Sequence, residues 1–245
     1  MVTSNSEASS IPLNPRQLVA DGYNILAQPY LEWSKGPGGG GNGGKDTPLE
    51  RHFAQFLTLL SQLAEKKSNL QVLELGCGAG VPWTLMVSEA LKDKGHLTAI
   101  DISDAQIGLA TKHLLQSDPP HTNVTLLAQD IMSLQYEPQL FDAVYGLFSL
   151  IHLPQQDQRI ILAHISKWLK PNGLVFMNFS GNPKSSEDTE VWLDGKTSMY
   201  WSSLGLQVYD ELLKQIGLAI VVRDVVIQVE DEKDIEFVFY IARKV

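Results

Sequence analysis

The stretch VLELGCGAG, residues 72–80, sets an apolar run against three closely spaced glycines. The run reads as a buried strand over Leu70–Leu75, and a helix is expected from Pro82 to about Lys92. Glycines at such a turn permit positive φ and let a ligand approach backbone N–H groups. The spacing discriminates further. A dinucleotide loop reads G-x-G-x-x-G, which would put its third glycine at position 81. Val81 stands there and the third glycine is Gly80, so the loop is G-x-G-x-G.

Working outward, strand and helix alternate. Strands are expected at Leu97–Asp101, Val124–Ala128, Asp142–Gly146 and Leu174–Asn178. Between them, Ser103 caps a helix running to about Leu115, with Gln106 at the box position. A second helix, Pro154–Leu169, carries Ile161, Ile165, Trp168 and Leu169 at helical spacing. A last helix shows Leu206, Tyr209, Leu213 and Ile216 and ends at Gly217. Two strands close the chain, at about Ala219–Gln228 and Ile235–Ala242. Their short polar connection, VEDEKD, permits a hairpin but no helical crossover. The expected fold is α/β, a doubly wound, mostly parallel seven-stranded sheet with an antiparallel edge hairpin. Ligands of such sheets bind beyond the carboxyl ends of the strands.

Upstream, Thr47-Pro48-Leu49-Glu50 has the form of a capping box opening a helix with Phe53, Phe56, Leu57, Leu60 and Ala64 on one face. Before it, GPGGGGNGG at residues 36–44 reads as a flexible insertion. An earlier helix starts at Asn14 and Pro15 and is expected to run to about Ala27, with Pro29 interrupting it. Residues 1–13 read as a loose polar tail. Residues 1–47 thus form a tail, a helical cap and an insertion, and residues 48–245 the α/β domain.

Composition narrows the function classes. The 245 residues are 44% hydrophobic and 19% charged, and the net charge of −9 opposes binding to a phosphate backbone. No run approaches the roughly 18–20 apolar residues of a spanning helix. The single cysteine forms no internal disulfide, and the N-terminus lacks a signal peptide's apolar stretch, so the cytoplasm is the expected location. No Cys/His pair has zinc spacing, so no metal is expected. The expected partner is a small molecule, without nucleic acid or membrane. Monomer and homodimer both stay open.

Residues at successive strand ends suggest a nucleoside site. Asp101 ends the second strand, where a carboxylate accepts hydrogen bonds from both ribose hydroxyls. The third strand leads to Gln129-Asp130-Ile131, and Asp130 suits an exocyclic adenine amine. Glu74 lies just before the glycines.

VLELGCGAG, then AIDIS, AQDIMSL and FDAVYGLFSLIHLP, together resemble the class I S-adenosylmethionine-dependent methyltransferases, small-molecule type, most clearly over residues 70–180. The segment DGYNILAQPYLEW is similar to their N-terminal cap, and WLDGKTSMYWSSLG to a substrate-covering segment. The resemblance implies S-adenosylmethionine as cofactor and S-adenosylhomocysteine as product. It implies that Gly76, Gly78 and Gly80 cradle the methionine part, with Cys77 and Ala79 lending backbone contacts. Glu74 and Gln106 fall within the same cofactor set. Asp101 would bind ribose, Ile102 the adenine face, Asp130 and Ile131 the adenine edge, and Leu147 the methionine portion. Tyr23 and Tyr30 would close from the cap. Members of the family often carry Asp where Asn24 stands.

Methyl transfer from a sulfonium needs alignment of a nucleophile more than covalent help. Aromatic faces stabilise the initial cation. Trp33, Trp83, Phe148, Tyr200 and Trp201, with Tyr30, are the candidate walls, although Trp83 suits packing equally well. For a hydroxyl acceptor a base helps, and His152 in LIHLP at the crevice rim is the candidate. Its competing role is packing of the following helix. A protein of this fold that binds the cofactor without methylating is the alternative function. A nicotinamide oxidoreductase is disfavoured by the loop spacing.

Overall fold

The computed structural model describes residues 14–35, 47–184, 189–193, 197–230 and 233–245. The expected tail, the glycine-rich insertion and part of the VEDEKD connection lie outside the described residues.

Helix α1 spans Pro15–Lys35, with Asn14 Oδ1 accepting the Arg16 N–H at 3.2 Å. The expected break at Pro29 does not occur. Proline frees the carbonyl four residues back. That carbonyl belongs to Ile25, which is 58% exposed, so water can serve it, while buried Leu26, Ala27 and Leu31 hold both halves down. Helix α2, Pro48–Lys66, opens on the capping box: Thr47 Oγ1 accepts the Glu50 N–H and Glu50 Oε2 accepts the Thr47 N–H. Its buried face of Leu49, Phe53, Phe56 and Leu60 covers the sheet.

The alternating part follows as β1 Leu70–Leu75, α3 Trp83–Leu91, β2 Gly95–Asp101, α4 Asp104–Ala110, β3 Val124–Ala128 and β4 Phe141–Gly146. Then come α5 Gln155–Trp168, β5 Leu169–Ser180, β6 Thr189–Trp192, β7 Thr197–Tyr200, α6 Leu206–Gln215, β8 Leu218–Glu230 and β9 Lys233–Lys244. The helix that Ser103 caps runs to Leu115 as expected, with its last turn, Thr111–Leu115, in π form. The main sheet has the order β3-β2-β1-β4-β5-β9-β8. Pairing is parallel from β3 to β5 and antiparallel for β9 against β5 and β8. The chain winds outward from β1 to β3, then returns to β4 beside β1. That reversal opens a crevice at the carboxyl ends of β1 and β4.

The hairpin β6–β7 is a separate two-stranded sheet that period-2 reading did not find. Four residues per strand are too few for an alternation signal. Its Met199 and Tyr200 bury against Val19 and Leu26 of α1 in a second, small core. Cap helix and hairpin therefore hold each other over the crevice. No described helix is long and apolar enough to cross a membrane.

Candidate active site

The glycine loop leaves β1 with Gly76 at φ +83° and returns through Gly80 at φ +76°. The Gly76 and Cys77 N–H groups donate to the Ile100 carbonyl at 2.7 and 2.9 Å, tying the loop to β2. Asp101 completes the turn from the other side. Its Oδ2 accepts the Gly78 N–H at 2.8 Å and its Oδ1 the Ser103 N–H at 2.9 Å. Burial raises the Asp101 carboxyl to about 6, against the pull of these amides. No cation pairs with it among the described residues, so a buried anion faces the crevice.

A cavity opens there. Gly76, Gly78, Asp101 and Ile102 form its floor, and Gln106, Asp130 and Ile131 one side. Leu147, Phe148 and His152 form the side beyond β4, and Tyr23 and Tyr30 the roof. The sequence-predicted residues thus meet in one place, with exceptions. Gly80 packs the loop on α4: a Cβ there would stand 2.9 Å from Leu114 Cδ1 and 3.1 Å from Ala110 Cβ. Cys77 is buried behind the loop, its thiol pushed well up by burial. Glu74 is buried beneath the loop, where burial raises it to about 7, and does not line the cavity. Trp83 packs on Phe53 at a tilt, with centroids 4.5 Å apart, away from the cavity.

Trp33 and Trp201 stand outside the cavity wall, in a cluster of rings joined through Trp192 at 5.4 and 5.7 Å. Tyr200 contributes its backbone: His152 Nδ1 lies 2.8 Å from the Tyr200 carbonyl oxygen. A carbonyl only accepts, so Nδ1 carries the proton and Nε2 the lone pair. The Tyr23 hydroxyl donates to Nε2 at 2.9 Å. Burial lowers His152 to about 4, so the ring is neutral at physiological pH.

Three residues escaped sequence reasoning. Arg16 lines the cavity and donates from Nη1 to Asp130 Oδ2 at 2.7 Å. Trp192 lies in the short hairpin without periodic signal. Ser149 lies beneath Gly76, its hydroxyl donating to the Leu75 carbonyl at 2.5 Å. Ser149 and Trp192 fall inside segments that carry the resemblance, but no spacing singles them out, and Arg16 lies in no motif.

Asn24, where the family often carries Asp, uses its carbonyl oxygen alone. Its Oδ1 accepts the Ser103 hydroxyl at 2.7 Å and the Ala105 N–H at 3.2 Å, pinning α1 to the start of α4. Asn24→Ala is expected to cost about 1–3 kcal/mol, while Asn24→Asp keeps the acceptor and adds charge at a helix N-terminus. A thermal melt lower for the first variant, and unchanged or higher for the second, checks this.

A doubly wound sheet with this order, a G-x-G-x-G turn after β1 and a carboxylate ending β2 define a Rossmann-like α/β fold. Residues 72–173 match the family described as "Methyltransferase domain". The ubiquinone biosynthesis O-methyltransferase of Leptothrix cholodnii is 29% identical over 140 residues, 56% of this chain and 56% of that protein. The chain spans about half the length of the curated relatives it matches. Among solved structures, the [4+2]-cyclase SpnF aligns with a TM-score of 0.67 at 19% identity, covering 94% of this chain and 96% of that one. Magnesium protoporphyrin IX methyltransferase from Synechocystis PCC 6803, with bound S-adenosylmethionine, aligns at 0.63 with 16% identity, covering 97% and 100%. At these identities the structures share the fold.

Proposed function

We propose that this chain is an S-adenosylmethionine-dependent methyltransferase that moves a methyl group to a small organic acceptor by in-line displacement. The observation that carries the reading is Gln106. Its amide nitrogen and oxygen are both buried, line the cavity and have no hydrogen-bond partner among the described residues. Buried polar groups are as a rule paired. Gln106 lines the same cavity as Asp101, and a Cβ on Gly78 would come no nearer to its Oε1 than 3.9 Å. An unpaired amide, a buried carboxylate and a bare backbone suit a polar nucleoside with a diol.

When bound, the cofactor supplies an electrophilic methyl group on a sulfonium. Asp101 holds the ribose hydroxyls and Ile102 packs on the base. Asp130 offers the adenine edge an acceptor, its Oδ1 fixed by the Met132 N–H at 2.9 Å. Gly76 and Gly78 admit the methionine part, with Leu147 against it. Tyr23 and Tyr30 exclude water from above. His152 holds an unprotonated Nε2 ready to receive a proton. The acceptor's place lies toward Phe148 and Leu153, with the Trp33, Trp192 and Trp201 cluster packed behind the wall.

Incubation with methyl-labelled S-adenosylmethionine and a panel of small hydroxyl, amine and thiol acceptors tests the reading, with S-adenosylhomocysteine formation as the readout. His152→Ala is expected to lower turnover about 100-fold or more while leaving cofactor affinity within about threefold. Full activity in that variant removes histidine from the mechanism. The likeness to the cyclase supports a second reading, cofactor binding without methylation. Tight binding with no S-adenosylhomocysteine formed from any acceptor favours it.

A further inference from the structure

We infer that Tyr23 meets the acceptor and relays its proton to His152, and that the site takes a planar aromatic hydroxyl compound. This rests on the methyltransferase reading. Three elements converge on the pair: Tyr23 comes from α1, His152 from the turn after β4, and the Tyr200 carbonyl from β7. The two hydrogen bonds run in one direction, from the Tyr23 hydroxyl to Nε2 and from Nδ1 to the carbonyl, at 2.9 and 2.8 Å.

That direction has a chemical consequence. His152 has no proton left to offer, and the Tyr23 proton is already committed. What Tyr23 presents is oxygen lone pairs, which accept and do not donate. Burial, with Tyr30 beside it, pushes the phenol well above its ordinary value, so it keeps its proton until one replaces it. An acceptor that brings an O–H satisfies this wall. One that brings only an ether or carbonyl oxygen does not.

The surrounding faces specify the rest. Tyr30, which meets Tyr23 edge-on at 5.3 Å, and Phe148 line the cavity with it, while the Trp192 and Trp201 rings pack behind Tyr23 and His152. Leu147, Phe148 and Leu153 line the same side of the cavity. Flat apolar surface of this kind suits a planar ring.

In the reaction, the acceptor oxygen bonds to the methyl carbon as the carbon–sulfur bond breaks and its electron pair stays on sulfur. The acceptor's proton passes to Tyr23 Oη as the Tyr23 proton passes to His152 Nε2. One positive charge leaves the sulfonium and one appears on the imidazolium, which sheds its proton to water as product departs.

The test uses the full chain saturated with S-adenosylhomocysteine, whose binding is established first by calorimetry. The probes are 1-naphthol, 1-methoxynaphthalene and 1-naphthylamine. We expect 1-naphthol to bind at least about 10-fold tighter than its methyl ether and tighter than the amine. Tyr23→Phe keeps the ring and should shrink the naphthol-to-ether preference to under about threefold. With S-adenosylmethionine, the same variant should turn naphthol over about 100-fold more slowly. Equal binding of naphthol and ether, preference for the amine, an undiminished preference in Tyr23→Phe, or no naphthalene binding overturns the inference alone. Failure to bind S-adenosylhomocysteine overturns the underlying reading and the inference with it.

Discussion

Asp101→Ala is expected to weaken S-adenosylhomocysteine binding about 100-fold or more, read by isothermal titration calorimetry. Two effects add. The ribose hydroxyls lose a charged acceptor, and hydrogen bonds to charged groups contribute about 1.5–3 kcal/mol each. The Gly78 and Ser103 amides also lose the carboxylate oxygens that hold them at 2.8 and 2.9 Å, so the loop and the start of α4 loosen together. Asp101→Asn keeps one acceptor oxygen and should fall between the two. Unchanged affinity in Asp101→Ala refutes the assignment. The same carboxyl sets a pH dependence. Burial holds it at about 6 in the free protein, and a diol that donates to it prefers the ionised form. Affinity should therefore be full well above pH 6 and fall, by at most about tenfold per pH unit, as pH drops through that value. The sign is opposite for stability of the free protein. A raised carboxyl binds its proton more tightly folded than unfolded, so this residue favours folding more at the acid end. Asp101→Asn should flatten both responses.

Gly76→Ala is expected to lower the melting temperature by on the order of 10 °C and abolish cofactor binding. A Cβ at Gly76 would lie 2.3 Å from Ser149 Cβ, and the residue's φ is +83°. Neither side can give way by rotating a side chain, because the clash is between two Cβ atoms. Gly76 is tied to Ile100 and Ser149 to Leu75, so the backbones are held as well. The left-handed conformation costs a side chain about 1–2 kcal/mol and overpacking about 1–3 more. Two other glycines separate fold from function. Gly108 in α4 has nothing within 4 Å of a Cβ, so Gly108→Ala should be neutral or stabilising by up to about 1 kcal/mol. Gly78→Ala meets only Gln106 Oε1 at 3.9 Å, so it should fold, slightly strained, yet bind poorly because its methyl enters the cavity. Calorimetric melts and titrations of the three variants check this order.

Much of this arrangement was legible in the sequence because sheet burial leaves a local trace. The apolar run of β1, its glycines and Asp101 at the end of β2 lie in short, strongly patterned segments. Topology then brings strand ends together without further information. What was not legible depends on long-range packing. Pro29 breaks a helix by local rule, yet buried residues on both sides keep α1 whole. Gly80 follows the same motif as Gly76, and only the position of Leu114 shows that it serves packing. Trp83 and Trp201 are equally aromatic in sequence, while Phe53 claims the first and His152 adjoins the second. The Arg16–Asp130 bond joins residues 114 apart, and no pattern in a single chain announces it.

The central claim is that the crevice beyond β1, β2 and β3 holds an adenosine joined to a sulfur-bearing amino acid. Calorimetric titration of the full chain with S-adenosylhomocysteine, and separately with NAD, tests it most directly. The account predicts one-to-one binding heat with S-adenosylhomocysteine and none with NAD at the same concentrations. Heat with NAD and none with S-adenosylhomocysteine would contradict it.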